Sequence, residues 1–259
     1  MNDTIEQFYQ KRTVCITGGS KQLGAKMAIE FAKKGANLVL FDRSIEEMGS
    51  AIVSEIQAIG VRVLAVKGDV SNEEDVNSMK ERAMAEFGRI DILIHTAGPW
   101  TNTPLKDLDV QKWDAIINGN VKGAYLTSKV VYPVMKQQGW GRIIHISADS
   151  SFVRNQTVYG LSKQAVNTLT ESLALEMAPK VTVNAIAPGL LEVEEVDSVI
   201  REHGKQNTPL NRLATYEDVS QMALFMCSPL FDMVTGKVIV MDGGRTIASY
   251  PHFPENYYV

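Results

Sequence analysis

Two hydrophobic periods alternate along the chain. Short β-branched runs, apolar at almost every position, occupy 13–17, 37–41, 61–66, 90–95, 142–147, 181–186 and 238–241. Between them, apolar residues recur at helical spacing: Leu23, Met27, Ala28 and Phe31 over 23–34, Met48, Ile52 and Ile56 over 45–59, and Val76, Met79, Ala83 and Phe87 over 73–87. Gly35, Gly60 and Gly88 follow these three segments, where a left-handed residue closes a helix. Ser71, three residues before Glu74, suits a capping box. Segment 108–137 predicts a short helix and then a longer one entered near Asn120. Helices are also predicted over 157–177, within 190–206, and over 216–227.

Strands without polar alternation are covered on both faces, and strand–helix–strand joins make their sheet parallel. The pattern predicts an α/β fold, a three-layer doubly wound parallel sheet of about seven strands. No repeat, linker or low-complexity segment divides the 259 residues, so 1–259 reads as a single domain, with 190–210 a loop and helix within it.

Composition narrows the function. Hydrophobic residues make up 45% and charged residues 22%, an ordinary globular balance, and the net charge of −4 comes with no basic block. Nucleic acid and anionic membranes are poor partners for such a chain. No apolar stretch is long enough to span a bilayer and the first residues lack a signal-peptide core, so a soluble, cytoplasmic protein is expected. Cys15 and Cys227 sit in apolar settings and read as buried thiols. The histidines at 95, 145, 203 and 252 show no metal-ligand spacing, so no metal is expected, and no Gly-x-Ser-x-Gly supports hydrolysis.

The candidate chemistry collects at strand ends. The first strand leads into Gly18-Gly19-Ser20-Lys21-Gln22-Leu23-Gly24, where bare backbone and a helix N-terminus suit a pyrophosphate. Asp42 ends the second strand; its carboxylate suits a ribose diol and repels a 2′-phosphate, which favours NAD(H) over NADP(H), whereas Arg43 and Lys21 are cations able to pair with a phosphate. Asp69 and Val70 follow the third strand, and Ala97 and Gly98 the fourth. Tyr159 and Lys163, four apart on a helix, share one face; an ammonium beside a phenol favours the phenolate and makes the tyrosine a ready proton donor.

These motifs, in this order over 12–245, resemble the classical short-chain dehydrogenase/reductase family. The resemblance implies a Rossmann-type fold, a nicotinamide cofactor and a homotetramer built on the long helices. It makes Tyr159 the acid/base, Lys163 the ribose ligand that lowers the tyrosine pKa, and Asn120 the anchor of a proton relay. Asn184 to Gly189 matches the loop beside the nicotinamide, with Pro188 and Gly189 as cofactor contacts. Arg212 and Thr235-Gly236 through Asp242-Gly243-Gly244 match the C-terminal signature.

Three positions depart from the pattern. Gln22 replaces the middle glycine of the turn. His95-Thr96 replaces Asn-Asn, with His95 read as a packed core histidine before a catalytic one. Ala148 stands where the catalytic serine falls, in a segment two residues shorter than usual. Ser150, and after it Asp149, are the candidates to replace that serine. Pteridine reductases, which use an aspartate there and also replace the glycine, are a second, fainter likeness. Trp100, Ser150, Phe152, Val153, Leu190 and Leu191 are expected to line the substrate side. The expected function is NAD(P)-dependent interconversion of a small carbonyl and alcohol by hydride transfer. The alternatives are a pteridine-reductase-like enzyme and a catalytically weakened nucleotide-binding or scaffold homologue. The aromatic tail 250–259 fits a subunit contact or a frayed end.

Overall fold

The computed structural model describes residues 7–153, 156–194 and 196–247; the tail 250–259 lies outside them. Seven strands, β1 (Thr13–Thr17), β2 (Asn37–Asp42), β3 (Val63–Lys67), β4 (Ile92–His95), β5 (Gly141–Ile146), β6 (Val181–Pro188) and β7 (Val238–Met241), form one sheet in the order β3-β2-β1-β4-β5-β6-β7. Every pairing is parallel. The helices, in chain order, are α1 (Gln22–Lys33), α2 (Ser50–Ile59), α3 (Glu73–Phe87), α4 (Val110–Ile117), α5 (Gly123–Gln138), α6 (Val158–Met177), α7 (Ser198–Gln206) and α8 (Tyr216–Cys227).

Side chains alternate across each strand, so the two faces of the sheet carry separate cores. On one, Val14, Ile16, Leu38 and Leu40 meet Met27 and Phe31 of α1, Ile56 of α2 and Val219 of α8. On the other, Cys15, Val39, Leu93 and Ile143 meet Met79 of α3, Met135 of α5 and Leu173 of α6. Each such side chain, fully buried, contributes about 1.5–3 kcal/mol. This is the three-layer Rossmann-type α/β arrangement that the apolar runs predict. The chain builds outward from β1 to β3 and then returns to β4 beside β1, and a crevice opens at the carboxyl ends of those two strands. Thr96 Oγ1 donates to the Thr17 carbonyl (2.6 Å), tying the two ends together.

Some boundaries differ from expectation. Segment 45–59 is a helical turn, Ile45–Met48, and then α2, divided at Gly49, where a Cβ would stand 2.4 Å from the Ile45 carbonyl oxygen. The cap of α3 is Asn72, not Ser71: Asn72 Oδ1 accepts from the backbone N–H groups of Glu74 and Asp75, because Ser71 is already committed to Asp69. Between α4 and α5 the helix widens into a π-type turn, Asn118–Lys122, which holds Asn120. Cys15 and Cys227 are buried free thiols, and burial pushes both up to about 12. Among the described residues no helix is long and apolar enough to cross a membrane, and no cluster of His, Cys, Asp or Glu suits a metal.

Candidate active site

At the nucleotide end, the turn after β1 is packed too tightly for side chains. A Cβ on Gly18, whose φ is +67°, would stand 2.8 Å from Thr96 Oγ1, and one on Gly24 would stand 2.1 Å from the Gly18 carbonyl oxygen. Such a bare backbone cradle suits a pyrophosphate. Gln22 takes a positive φ of 50°, so the departure from glycine keeps the left-handed backbone and accepts its strain. Lys21 is exposed and Leu23 half-buried.

Asp42 stands beside this turn with both oxygens oriented. Ser20 Oγ donates to Oδ2 (2.6 Å) and the Ser44 backbone N–H to Oδ1 (2.9 Å). Arg43 turns away from Asp42 and reaches Asp69 at 3.4 Å. Burial works to raise the Asp69 carboxyl, but the Ser71 N–H and hydroxyl, with Arg43, outweigh it and hold the group below the usual carboxylate range. Val70 is buried against Gly123.

At the reaction end, α6 starts at an N-cap, Thr157, that accepts the Gly160 N–H, and it carries Tyr159 and Lys163 on one face. Lys163 Nζ lies 5.4 Å from the Tyr159 ring centre and donates to the Ile146 carbonyl at 2.7 Å. Burial lowers Lys163 to about 7. Burial, reinforced by the charge of Asp149, raises Tyr159 to about 12, opposite to the phenolate-favouring effect expected from the lysine alone. The wide turn places Asn120 against Gly98, Pro99 and Ile116. Its Nδ2 donates to the Pro99 (2.8 Å) and Ile116 (3.0 Å) carbonyls, and its buried Oδ1 has no partner among the described residues. A Cβ on Gly98 would stand 2.3 Å from that oxygen.

After β5 the chain tightens into the turn Asp149–Ser151. Ser147 and Ser151 face inward to Asn167, with Ser147 Oγ donating to Asn167 Oδ1 (2.6 Å) and Asn167 Nδ2 to Ser151 Oγ (2.9 Å). Asp149 points elsewhere: its Oδ2 stands 3.6 Å from the position of a Cβ on Gly189 and 3.5 Å from Arg245. Burial raises the Asp149 carboxyl, Arg245 opposes the rise, and Asp242 adds to it. Ser150 is half-buried in the same turn. Ala148 is buried, with an exposure of 8%.

Other sequence candidates separate into site and scaffold. Trp100, Phe152 and Val153 are exposed, whereas Leu190 packs towards Gly204 of α7. Pro188 ends β6, and Gly189 N–H donates to the Met241 carbonyl at 3.0 Å. Asn184 is structural, bridging the Val234 carbonyl and the Lys237 N–H. Arg212 clamps Asp218 at 2.6 Å, fixing the capping box of α8. Sequence reading missed Arg245. Its only local signal is its place just after Asp242-Gly243-Gly244, and its partner Asp149 is 96 positions away.

Comparison with known proteins fits this arrangement. A family model described as enoyl-(acyl carrier protein) reductase matches residues 18–246. The 3-oxoacyl-[acyl-carrier-protein] reductase of Thermotoga maritima is 34% identical over 90% of this chain and 98% of its own length. A (2S)-[(R)-hydroxy(phenyl)methyl]succinyl-CoA dehydrogenase subunit of Thauera aromatica is 33% identical over 92% of this chain and 98% of its own. Among solved structures, a 7α-hydroxysteroid dehydrogenase complexed with NADH and 7-oxo glycochenodeoxycholic acid superposes with a TM-score of 0.89, at 28% identity over 94% of this chain and 97% of that one. The chain belongs to the short-chain dehydrogenase/reductase family, whose members are NAD(P)-dependent oxidoreductases.

Proposed function

We propose that the chain, acting as one dinucleotide-binding domain over 1–259, reduces a carbonyl or oxidises the matching alcohol, with Tyr159 as the acid/base. The observation that carries this reading is the buried Lys163 ammonium, anchored on Ile146 and set 5.4 Å from the Tyr159 ring centre. A bound nicotinamide dinucleotide supplies or accepts the hydride. Gly18, Ser20, Gln22, Asp42, Asp69, Ala97, Gly98 and Gly189 are the residues that would hold it. Tyr159, kept protonated by burial, gives its proton to the substrate oxygen as negative charge develops there. The family resemblance gives Lys163 and Asn120 the proton relay to it, and both side chains are buried, Lys163 on the Ile146 carbonyl and Asn120 on those of Pro99 and Ile116. The open apolar residues Trp100, Phe152 and Val153 fit a small or medium hydrophobic substrate.

Sequence reasoning ranks Ser150 first as the replacement for the missing serine. The placement of Asp149, beside Gly189 and coupled to Tyr159, supports the reverse order. A carboxyl donates only when protonated, and burial moves Asp149 towards that form. The same carboxyl favours the second reading, a substrate that presents N–H groups, as a pteridine does.

A carbonyl panel that includes 3-oxoacyl thioesters and N–H-bearing heteroaromatics, run with both cofactors, tests the activity. Tyr159→Phe is expected to lose about 10²–10⁴ in turnover with cofactor affinity unchanged. Asp149→Asn is expected to lose at least tenfold and to change the pH profile, and Ser150→Ala to lose less. Near-normal turnover in both would remove the replacement idea. For the cofactor, NAD(H) is expected to bind more tightly than NADP(H), because the oriented Asp42 carboxylate meets a free diol. Asp42→Ala should weaken NADH by about tenfold or more, the worth of a charge-assisted hydrogen bond, and spare NADPH. Tighter NADPH binding by the unaltered chain would overturn that preference.

A further inference from the structure

The segment after β5 is held from inside by one residue of α6. Tyr159, Lys163 and Asn167 are spaced four apart on that helix and lie along one row. The second and third members of the row grip consecutive residues where β5 ends. Lys163 Nζ donates to the Ile146 carbonyl (2.7 Å), and Asn167 Oδ1 accepts the Ser147 hydroxyl (2.6 Å). Asn167 Nδ2 also donates to Ser151 Oγ (2.9 Å). One amide thus bridges the two ends of the stretch 147–151.

The hydroxyl protons fix how that amide stands. A carbonyl has none, so Ser151 gives its own to the Ala148 carbonyl at 2.6 Å and can only accept from Asn167. The NH2 of Asn167 therefore faces Ser151, and its oxygen faces Ser147. Both serines are buried, and both have committed their one proton within the protein. Neither is free to donate to a substrate oxygen in place of the serine missing at Ala148.

Asp149 lies midway between them. With Ser147 and Ser151 drawn to α6, its carboxylate leaves the turn towards β6 and β7. Its Oδ2 stands 3.6 Å from the position of a Cβ on Gly189, just after β6, and 3.5 Å from Arg245 Nη1, after β7. The turn itself is closed by two backbone bonds, Ser151 N–H to the Ala148 carbonyl (3.0 Å) and Phe152 N–H to the Asp149 carbonyl (2.9 Å). Turns of this tight kind have poor hydrogen-bond geometry, which leaves the side-chain bridge to decide what the turn presents.

We propose that Asn167 is a positioning residue, whose amide pins Ser147 and Ser151 to α6 and so turns Asp149 towards Gly189 and the reaction end. The proposal rests on the reading of Asp149 as the group that replaces the missing serine. The charged and titratable groups that face Asp149 are Arg245 and Asp242 beyond β7 and Tyr159 of α6. Burial raises its carboxyl against the pull of Arg245, so a released Asp149 titrates lower, nearer its ordinary range. Asn167→Leu removes the amide at similar volume. It is expected to lower kcat by about tenfold or more, the scale of a misplaced catalytic group, and to leave the cofactor Kd within about twofold. Carbon NMR of aspartate-labelled protein, with Asp149→Asn assigning the signal, should show the Asp149 titration moved down. In an Asp149→Asn background the leucine change should cost kcat no more than about twofold, because the two act through one group. An Asp149 titration that stays in place or rises would overturn the proposal, and so would a leucine loss that persists in full beside Asp149→Asn. If Asn167→Leu does not fold, Ser151→Ala, which removes only the turn's end of the bridge, is judged by the same titration. An Asp149→Asn variant with near-normal turnover would sink the catalytic reading of Asp149 alone, since the titration judges Asn167 without substrate.

Discussion

Lys163 shows at a single residue how the site works against the fold. Burial moves its pKa from 10.5 to about 7, although it keeps a backbone acceptor in Ile146. Between those two values the unfolded chain binds more protons than the folded one, so this group makes stability rise with pH from about 7 to 10.5. Below about 7 both states are charged and the whole desolvation penalty is present. Lys163→Met is therefore expected to abolish turnover and yet stabilise the fold, by about 1–3 kcal/mol at pH 6. Urea unfolding at pH 6 and pH 10 checks the sign. A gain that stays constant with pH would assign the effect to packing and not to charge. The fact that Tyr159 and Lys163 share a face was legible from their spacing. That burial would dominate both pKa values was not, because burial depends on the neighbouring strands.

At the scale of elements, the apolar runs located all seven strands, because a strand covered on both faces has no room for polar alternation. Caps and breaks were less legible, since a short polar side chain has several partners within reach. Ser71 and Asn72 are adjacent candidates for capping α3, and the competing carboxylate of Asp69 decided between them by taking Ser71. Asn72→Ala should thus cost about 1 kcal/mol of stability, read as a lower unfolding temperature. Ser71→Ala should cost the helix less and act chiefly by loosening Asp69, whose Oδ1 accepts from the Ser71 N–H and hydroxyl. The wide turn Asn118–Lys122 carried no signal in the hydrophobic period, because its five residues, Asn-Gly-Asn-Val-Lys, hold one apolar side chain and define no period. Its trace is indirect: Gly119 and Gly123 are small where Pro99, Val70 and His95 press against them.

Over the whole molecule, the candidate site draws on chain segments as distant as Gly18 and Arg245, gathered because a doubly wound sheet brings its strand ends to one edge. Strand-end residues could be placed from sequence for that reason. The substrate side could not, since loops after β5 and β6 set it, as the Asp149–Arg245 contact shows. The same architecture leaves apolar surface on the long helices. Tyr125 of α5 and Leu161 and Leu175 of α6 are exposed, Leu175 by 85%. Leu161 and Leu175 are four helical turns apart and so lie along one stripe. An exposed apolar stripe on a long helix suits self-association, which supports the expected homotetramer. Light scattering should give a mass four times that of the chain. Leu161→Asp combined with Leu175→Asp places charge on the stripe without entering either core, so it should yield a smaller assembly that keeps its helical content and NADH affinity. A monomeric unaltered chain, or a double variant that remains tetrameric, would show that these helices do not carry the interface.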